Sequence, residues 1–464
     1  MWTPESIAPA RPDSGRQAAG VGIIPRSFIE RFKRHVHPTL LFHFRRHASL
    51  LRRAWRSLLG NGWAATLRRA TARSSNVSTR TGTPPGACAA ALPTAAMDTR
   101  QPWCLIVDTS LPQPDRDSGS MRIVGLMRAL VSAGHAVAFI ADDGGSGGTA
   151  ANALRADGVH VPARRHAAAW VRAHASTLSS AVLCRHDTAG HWLPFLRSVA
   201  PAATLVFDTV DLHHLRERRE ADLSARSVLR RSAEGTRRRE LSLVRRADTT
   251  WVVSPVERDM LRREVPDADV RVLSNIMAAD TAGLPFDDRR DLLFVGGLRH
   301  PPNRDALAWL LADIFPRVRA ARPDVRLHVV GDPGLDPPPR CTGERGIVMH
   351  GHVPDLQPLL DGCRVGLAPL RFGAGVKGKV NLAMAHGQPV VATACAVEGM
   401  HLQAGREVLV ADDAAGFAAQ VLRVYDDAVL WQALADRGRE SVRRHFSAEA
   451  ALAVAEATFA RRAP

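Results

Sequence analysis

The sequence predicts an α/β protein built as two consecutive doubly wound parallel-sheet domains behind a basic helical N-terminal extension. Three observations carry this expectation. From residue 103 onward, short apolar runs alternate with longer segments of helical period, as when helices cover both faces of a parallel sheet. The alternation lapses in a polar, Pro-containing stretch near 277–289 and then restarts. The 464 residues amount to about three common domain lengths, and 45% apolar content can fill more than one core. The expected division is an extension and linker over 1–97, a first domain over 103–280 and a second over 281–464.

The extension holds 16 Lys+Arg against 4 Asp+Glu within residues 1–100, whereas the rest of the chain carries 46 against 42. A near-neutral body therefore follows a basic leader, and the overall charge gives no reason to expect a nucleic-acid partner. Leu51, Trp55, Leu58 and Leu59 recur at helical spacing opposite Arg52, Arg53 and Arg56, and Phe28, Ile29, Phe32 and Val36 do the same among Arg31, Lys33 and Arg34. Such basic amphipathic stretches suit either peripheral contact of residues 26–70 with an anionic membrane or a helix packed on the protein's own body or a partner. Both readings are open. Residues 71–97, rich in Ser, Thr, Pro, Gly and Ala, read as a linker.

In the first domain, CLIVDT (104–109), AVAFIADD (136–143), AVLCRHD (181–187), TLVFDTVD (204–211), TTWVVS (249–254) and VRVLSNI (270–276) read as strands. Helices are expected near 119–133 and, long and charged, over 213–246. In the second, the strands are 291–297, 325–332, 346–353, 363–370, 389–394 and 407–413, with a helix near 303–320 and others filling the C-terminal end. Ligands of such sheets sit at the carboxyl ends of strands, near helix N-termini.

Four segments lie at those ends. Two of the chain's three lysines, Lys377 and Lys379, fall in the glycine-rich loop GAGVKGK ahead of a helix. Glycines such as Gly375 admit close backbone approach, the helix end offers free amides, and the lysines add charge, which together make a cradle for a diphosphate or, more simply, a solvated turn. It is no Walker loop, because Val380 follows Lys379. GGLRHPPNRD (296–305) offers Arg299 as a phosphate clamp from the opposite wall or as a surface arginine. In PQPDRDSGSMR (112–122), Ser118 and Gly119 bring amides to the cleft, while Asp115, Asp117 and Ser118 are equally suited to capping. FDTVDLHHLRERRE (207–220) crowds Asp208, Asp211, His213 and His214 into one turn, where a histidine beside a carboxylate can position a hydroxyl.

Taken together these segments, with RFGAGVKGKVNLAMAHGQPVVAT as the most specific, resemble the two-domain nucleotide-sugar glycosyltransferases of the GT-B fold, in particular the bacterial group 1, family 4-like enzymes. The resemblance spans about residues 103–460 and implies two Rossmann-like domains. It further implies sugar transfer from a nucleoside diphosphate sugar to a hydroxyl, usually with retention, the nucleotide on the second domain and the acceptor on the first. No metal or other cofactor is implied. Position by position, Lys379 matches the family's phosphate lysine, His213 with Asp211 the catalytic histidine turn, and Gly119 the first cleft loop. One departure stands out: the two family glutamates, separated by seven residues, fall here on Ala374 and Leu382. The second usually binds ribose, and Glu398 is the carboxylate nearest in sequence to replace it, unless it simply favours a helix dipole. Leu382 also motivates another reading, a catalytically weak relative serving as a binding or scaffolding subunit. A nucleotide-sugar epimerase would share the fold.

The six cysteines are scattered without a C-x-x-C pair, so neither a disulfide framework nor a zinc site is expected. No run of 18 apolar residues exists and the first 25 residues lack a signal-peptide core. The expected location is the cytoplasm, peripheral at the inner membrane face if the leader docks there. Expected partners are a nucleotide sugar and a saccharide or lipid-linked acceptor.

Overall fold

The computed structural model describes residues 42–43, 45–48, 51, 101–162, 167–279, 283–332 and 346–460. The first lobe holds β1 (Trp103–Asp108), α1 (Ser118–Ser132), β2 (Ala136–Ala141), α2 (Gly148–Ala156), α3 (Ala167–Ala173), β3 (Leu178–Cys184) and α4 (His186–Val199). It continues with β4 (Thr204–Asp208), α5 (His213–Leu223), α6 (Ser227–Val244), β5 (Thr249–Val252), α7 (Pro255–Glu264) and β6 (Val270–Val272). All six strands are parallel, in the order β2-β1-β3-β4-β5-β6. Buried on both faces, β1 and β4 carry no charged side chain until their last residues, Asp108 and Asp208.

The second lobe comprises β7 (Arg290–Val295), α8 (Pro301–Trp309), a π turn (Leu310–Ile314), α9 (Phe315–Ala321), β8 (Leu327–Val330), β9 (Ile347–Gly351), α10 (Gln357–Gly362) and β10 (Cys363–Ala368). Then come α11 (Gly378–Ala385), β11 (Val390–Ala392), α12 (Ala394–Val397), β12 (Leu409–Val410), α13 (Ala414–Asp426), α14 (Ala428–His445) and α15 (Ala448–Phe459). Its parallel strand order is β12-β11-β10-β7-β8-β9. Each sheet reverses its winding once, between β1 and β3 and between β7 and β10, and such switch points open the crevices where ligands bind. The architecture is the GT-B arrangement of two Rossmann-like lobes.

Three sequence expectations need correction. The helix expected over 213–246 is two helices, α5 and α6. Arg226 N–H donates to Ala221 O (3.2 Å), with Ala225 left-handed at φ 53°. This Schellman-type turn satisfies the carbonyls at the end of α5 and reverses the chain without glycine or proline. The strand expected over 407–413 pairs only at Leu409–Val410. Finally α15, placed by sequence in the second domain, packs on the first. Ala451 and Ala455 lie in the core with Leu126, Met127 and Trp251, and Thr458 Oγ1 accepts from Trp251 Nε1 (3.2 Å).

The chain therefore crosses between lobes twice, once after β6 and once after α14, and Met277 N–H donates to Phe446 O (2.8 Å) where the crossings touch. A buried ion pair fixes the first exit. Arg122 of α1 grips Asp208 with two bonds (2.6 and 3.1 Å) and also donates to Leu273 O (2.9 Å) and Ser274 O (3.1 Å). Of the basic extension, Phe42 packs edge-on against Trp192 at 4.7 Å and Arg46 reaches Asp142. These two residues pack on the first lobe. The amphipathic segments at 28–36 and 52–59 lie outside the described residues. No described helix is long and apolar enough to cross a membrane.

Ala455 has no exposed surface. Ala455→Glu should therefore destabilise the fold by about 3 kcal/mol, because it buries an unpaired carboxylate, whereas Ala457→Glu on the exposed side should stay within about 0.5 kcal/mol. Urea midpoints of the two variants check this.

Candidate functional site

The first wall of the crevice is made by the ends of β1, β3 and β4. Asp117 caps α1, accepting from Ser120 N (2.8 Å) and Ser120 Oγ (2.7 Å). The free amides of Ser118 and Gly119 thus open the helix. Arg185, next after β3, is held at φ 69°, and Val210, just beyond β4, at φ 62°. Both conformations are costly for side-chain-bearing residues and cluster where the chain turns into the cleft. Arg185 pairs with Asp108 (3.0 Å), which raises its pKa, and comes so near Gly119 that a side chain there would meet its guanidinium at 3.1 Å.

The turn into α5 is organised by carboxylates. His213 Nδ1 lies 3.0 Å from Asp211 O and 3.1 Å from Asp211 Oδ1, so Nδ1–H donates and Nε2 is left as the acceptor. Burial pushes the Asp211 carboxyl up, but Arg216, His213 and Arg185 outweigh it and hold the group ionised, well below the usual carboxylate range. Glu240 of α6, with no exposed surface, caps the helix. It accepts from His213 N (3.0 Å), His214 N (3.1 Å) and His214 Nδ1 (2.5 Å). Among the described residues, His186, His213 and Glu240 form the one three-residue group with the donor set for a metal. Here its carboxylate is engaged in capping.

The second wall is made by the loops after β7 and β10. Lys379, in the first turn of α11, donates to Asn303 Oδ1 (2.6 Å) and stands 5.0 Å over the Phe294 ring. Burial and the neighbouring Lys377 push its pKa down to about 7. Lys377 is only 8% exposed and donates to Ala374 O (3.1 Å) and Gly375 O (2.5 Å). Burial lowers its pKa as well, against the pull of Cys395, Glu257 and Glu398. His300, just ahead of α8, is exposed. Desolvation, then the charges of Arg216 and the two lysines, lower its pKa, although Asp211 opposes them.

The walls touch. A side chain at Gly378 would meet Ser118 Cβ at 2.3 Å, so the N-termini of α1 and α11 face each other at contact distance. Gly375, at φ 69°, lies against Asp211 and Val253, where a Cβ would approach Asp211 Cβ to 3.0 Å. Arg219 of α5 spans the gap to Glu398 with two bonds (2.7 and 2.8 Å) and to Gly373 O (2.7 Å). Asn275 Nδ2 donates to Asn381 Oδ1 (3.1 Å). On the rim, His352 meets Asp115 (3.0 Å) and Arg116 meets Asp332 (3.6 Å).

Of the residues singled out in the sequence, Ser118, Gly119, Asp211, His213, Gly375, Lys377 and Lys379 converge on this gap. Arg299 does not join them. It is 63% exposed, with Nε 3.1 Å from Asp332, so a carboxylate already occupies the proposed clamp. Glu398 is engaged with Arg219 rather than left open as a replacement ribose acceptor. Leu382 packs partly buried against the second core. Sequence reasoning missed Arg185, Arg216, His300 and Glu257. Only Glu257 had a local signal, the Ser254-Pro255-Val256-Glu257 capping pattern.

Comparisons with known proteins accord with this geometry. Residues 289–427 match the family described as Glycosyl transferases group 1. An "Uncharacterized 44.6 kDa protein in cps region" of Klebsiella pneumoniae is 29% identical over 140 residues, a match that spans 28% of this chain and 36% of that protein. Among solved structures, sucrose-phosphate synthase from Thermosynechococcus elongatus superposes with a TM-score of 0.60 at 17% identity, over 78% of this chain and 99% of that one. Anabaena HepE, solved with UDP and glucose, gives 0.58 at 13% over 77% and 99%. A glycosyltransferase from Rickettsia africae gives 0.58 at 13% over 78% and 98%. Two facing Rossmann-like lobes give the chain the GT-B fold, and residues 289–427, which lie in the second lobe, match the group 1 glycosyl transferases.

Proposed function

We propose that this protein transfers a sugar from a nucleoside diphosphate sugar to a hydroxyl of a saccharide or lipid-linked acceptor, with retention, in surface-polysaccharide or glycolipid assembly. One observation carries the reading: Lys377, Lys379 and the N-terminus of α11 converge opposite the N-terminus of α1 and the Asp211–His213 turn. Group transfer from a nucleotide sugar develops negative charge on the departing diphosphate. Helix amides and a desolvated lysine aimed at that charge supply the stabilisation that is often the largest catalytic contribution. Lys379 suits this duty because it is held by one neutral amide oxygen and no carboxylate. Across the gap, Asp211 fixes the ring of His213 with Nε2 as a hydrogen-bond acceptor, in place to orient a sugar or acceptor hydroxyl. The match to a protein of a cps region supports the assembly context.

Nucleotide titration separates this reading from that of a scaffolding subunit, which Leu382 favours: wild-type protein should bind UDP, GDP or ADP, and binding of none of them would refute glycosyl transfer. Lys379→Ala should weaken the bound nucleotide and lower sugar release in a donor screen by about 10²-fold while leaving the fold intact. Leu382→Glu should tighten nucleotide binding by adding a ribose acceptor at the first turns of α11, which calorimetry reads directly.

The lowered pKa of Lys379 has a defined pH signature. Its ammonium is disfavoured in the unliganded cleft, so it loses its proton as pH rises through about 7, and a bound diphosphate restores the charge. Nucleotide binding at pH 8 should therefore take up a proton, seen as an enthalpy that varies with the ionisation heat of the buffer. Lys379→Arg, charged throughout, should abolish that variation.

A further inference from the structure

We propose that Glu257 is a positioning residue whose single carboxylate sets the register between the two catalytic loops, one from each lobe. Its Oε1 accepts from Leu212 N (3.2 Å), the residue before His213, and from Gly375 N (3.1 Å) in the lysine loop of the second lobe. Its Oε2 accepts from Val253 N (3.3 Å) at the end of β5. Three backbone donors from three segments thus meet on one carboxylate that is 2% exposed.

The local sequence explains how it comes to be there. Ser254 caps α7, its Oγ accepting from Glu257 N (3.2 Å). In an ordinary capping box the glutamate folds back on the backbone amide of the capping residue. Here it reaches past that amide to Val253 N and then outward to the other two donors. Gly375 N–H can point at Glu257 because the residue is left-handed and stacked on Asp211 and Val253. Moving either loop alone would leave an amide without its acceptor, beside a carboxylate that is itself out of solvent. Burial, then the charge of Asp211, raise the Glu257 pKa, while the amides and Lys377 favour the ionised form. The group is therefore held in a costly place, as expected of a positional constraint rather than a surface cap.

The kinetic consequence rests on the glycosyl-transfer reading, but the structural test does not. Hydrogen exchange of the full chain, followed by mass spectrometry, should show peptides covering 211–216 and 371–380 losing protection together in Glu257→Ala, by about tenfold or more. They should lose it to a smaller extent in Glu257→Gln, which keeps one carbonyl acceptor and is the variant to rely on should the alanine variant not fold. Ser254→Ala, which removes the same helix's cap without touching the bridge, should leave 371–380 protected. With UDP-glucose, GDP-mannose and ADP-glucose as donor probes, Glu257→Ala should lower turnover by about 10²-fold, the size of a small misplacement, at nearly unchanged nucleotide affinity, with Gln in between. Unchanged exchange over 371–380 in the Glu257 variants, or the same loss in Ser254→Ala, would overturn the proposal. Should wild type bind no nucleotide, glycosyl transfer falls, and the exchange result still decides the role of Glu257.

Discussion

Two helices, α1 and α11, point their N-termini at one another across the interlobe gap and touch at Ser118 and Gly378. Each end carries unsatisfied amides and a partial positive charge, so the contact is repulsive unless negative charge gathers round it. Much of the surrounding chemistry follows from that constraint. Asp117 caps one helix, Asp211 stands beside the loop that leads into the other, and Glu257 and Glu398 close the far side. Lys377 and Lys379 add further positive charge where carboxylates are already committed to other partners. The result is a cleft in which helix N-termini, lysines and carboxylates crowd together from both lobes.

The first lobe sets where those carboxylates stand. Asp208 closes β4 and is pinned by Arg122, so the chain leaves the sheet at a fixed point and turns through Val210 to present Asp211. Glu240 then starts α5 by accepting the first helix amides. His213 is consequently oriented from both sides, by a cap behind it and an aspartate beside it. Neither support is in the second lobe, so the histidine keeps its geometry whatever the lobes do. The lysine loop is different: part of its support, the Gly375 amide bond, comes from across the gap.

What was legible in the sequence follows from how far each signal travels along the chain. The strands were readable because burial on both faces forces continuous apolar runs, and the lysine loop was readable because lysine is so rare here. The turn after α5 was not readable, since Ala225 adopts a left-handed conformation with no glycine or proline to announce it. Arg185 and Arg216 are two among 59 arginines; only their three-dimensional neighbours, Asp108 and Asp211, distinguish them. Arg299 was placed at the right strand end, but its partner Asp332 comes from the next strand, which local sequence could not reveal. Glu257 was missed altogether: its local pattern marks at most a helix cap, and the two loops it joins lie 45 residues before it and 118 after.

The double passage of the chain between lobes also governs how they can move. A single connection would let the second lobe swing and twist freely about one flexible segment. Two connections bonded where they meet, at Met277 and Phe446, restrain that freedom, because both lengths of backbone must bend together for either to move.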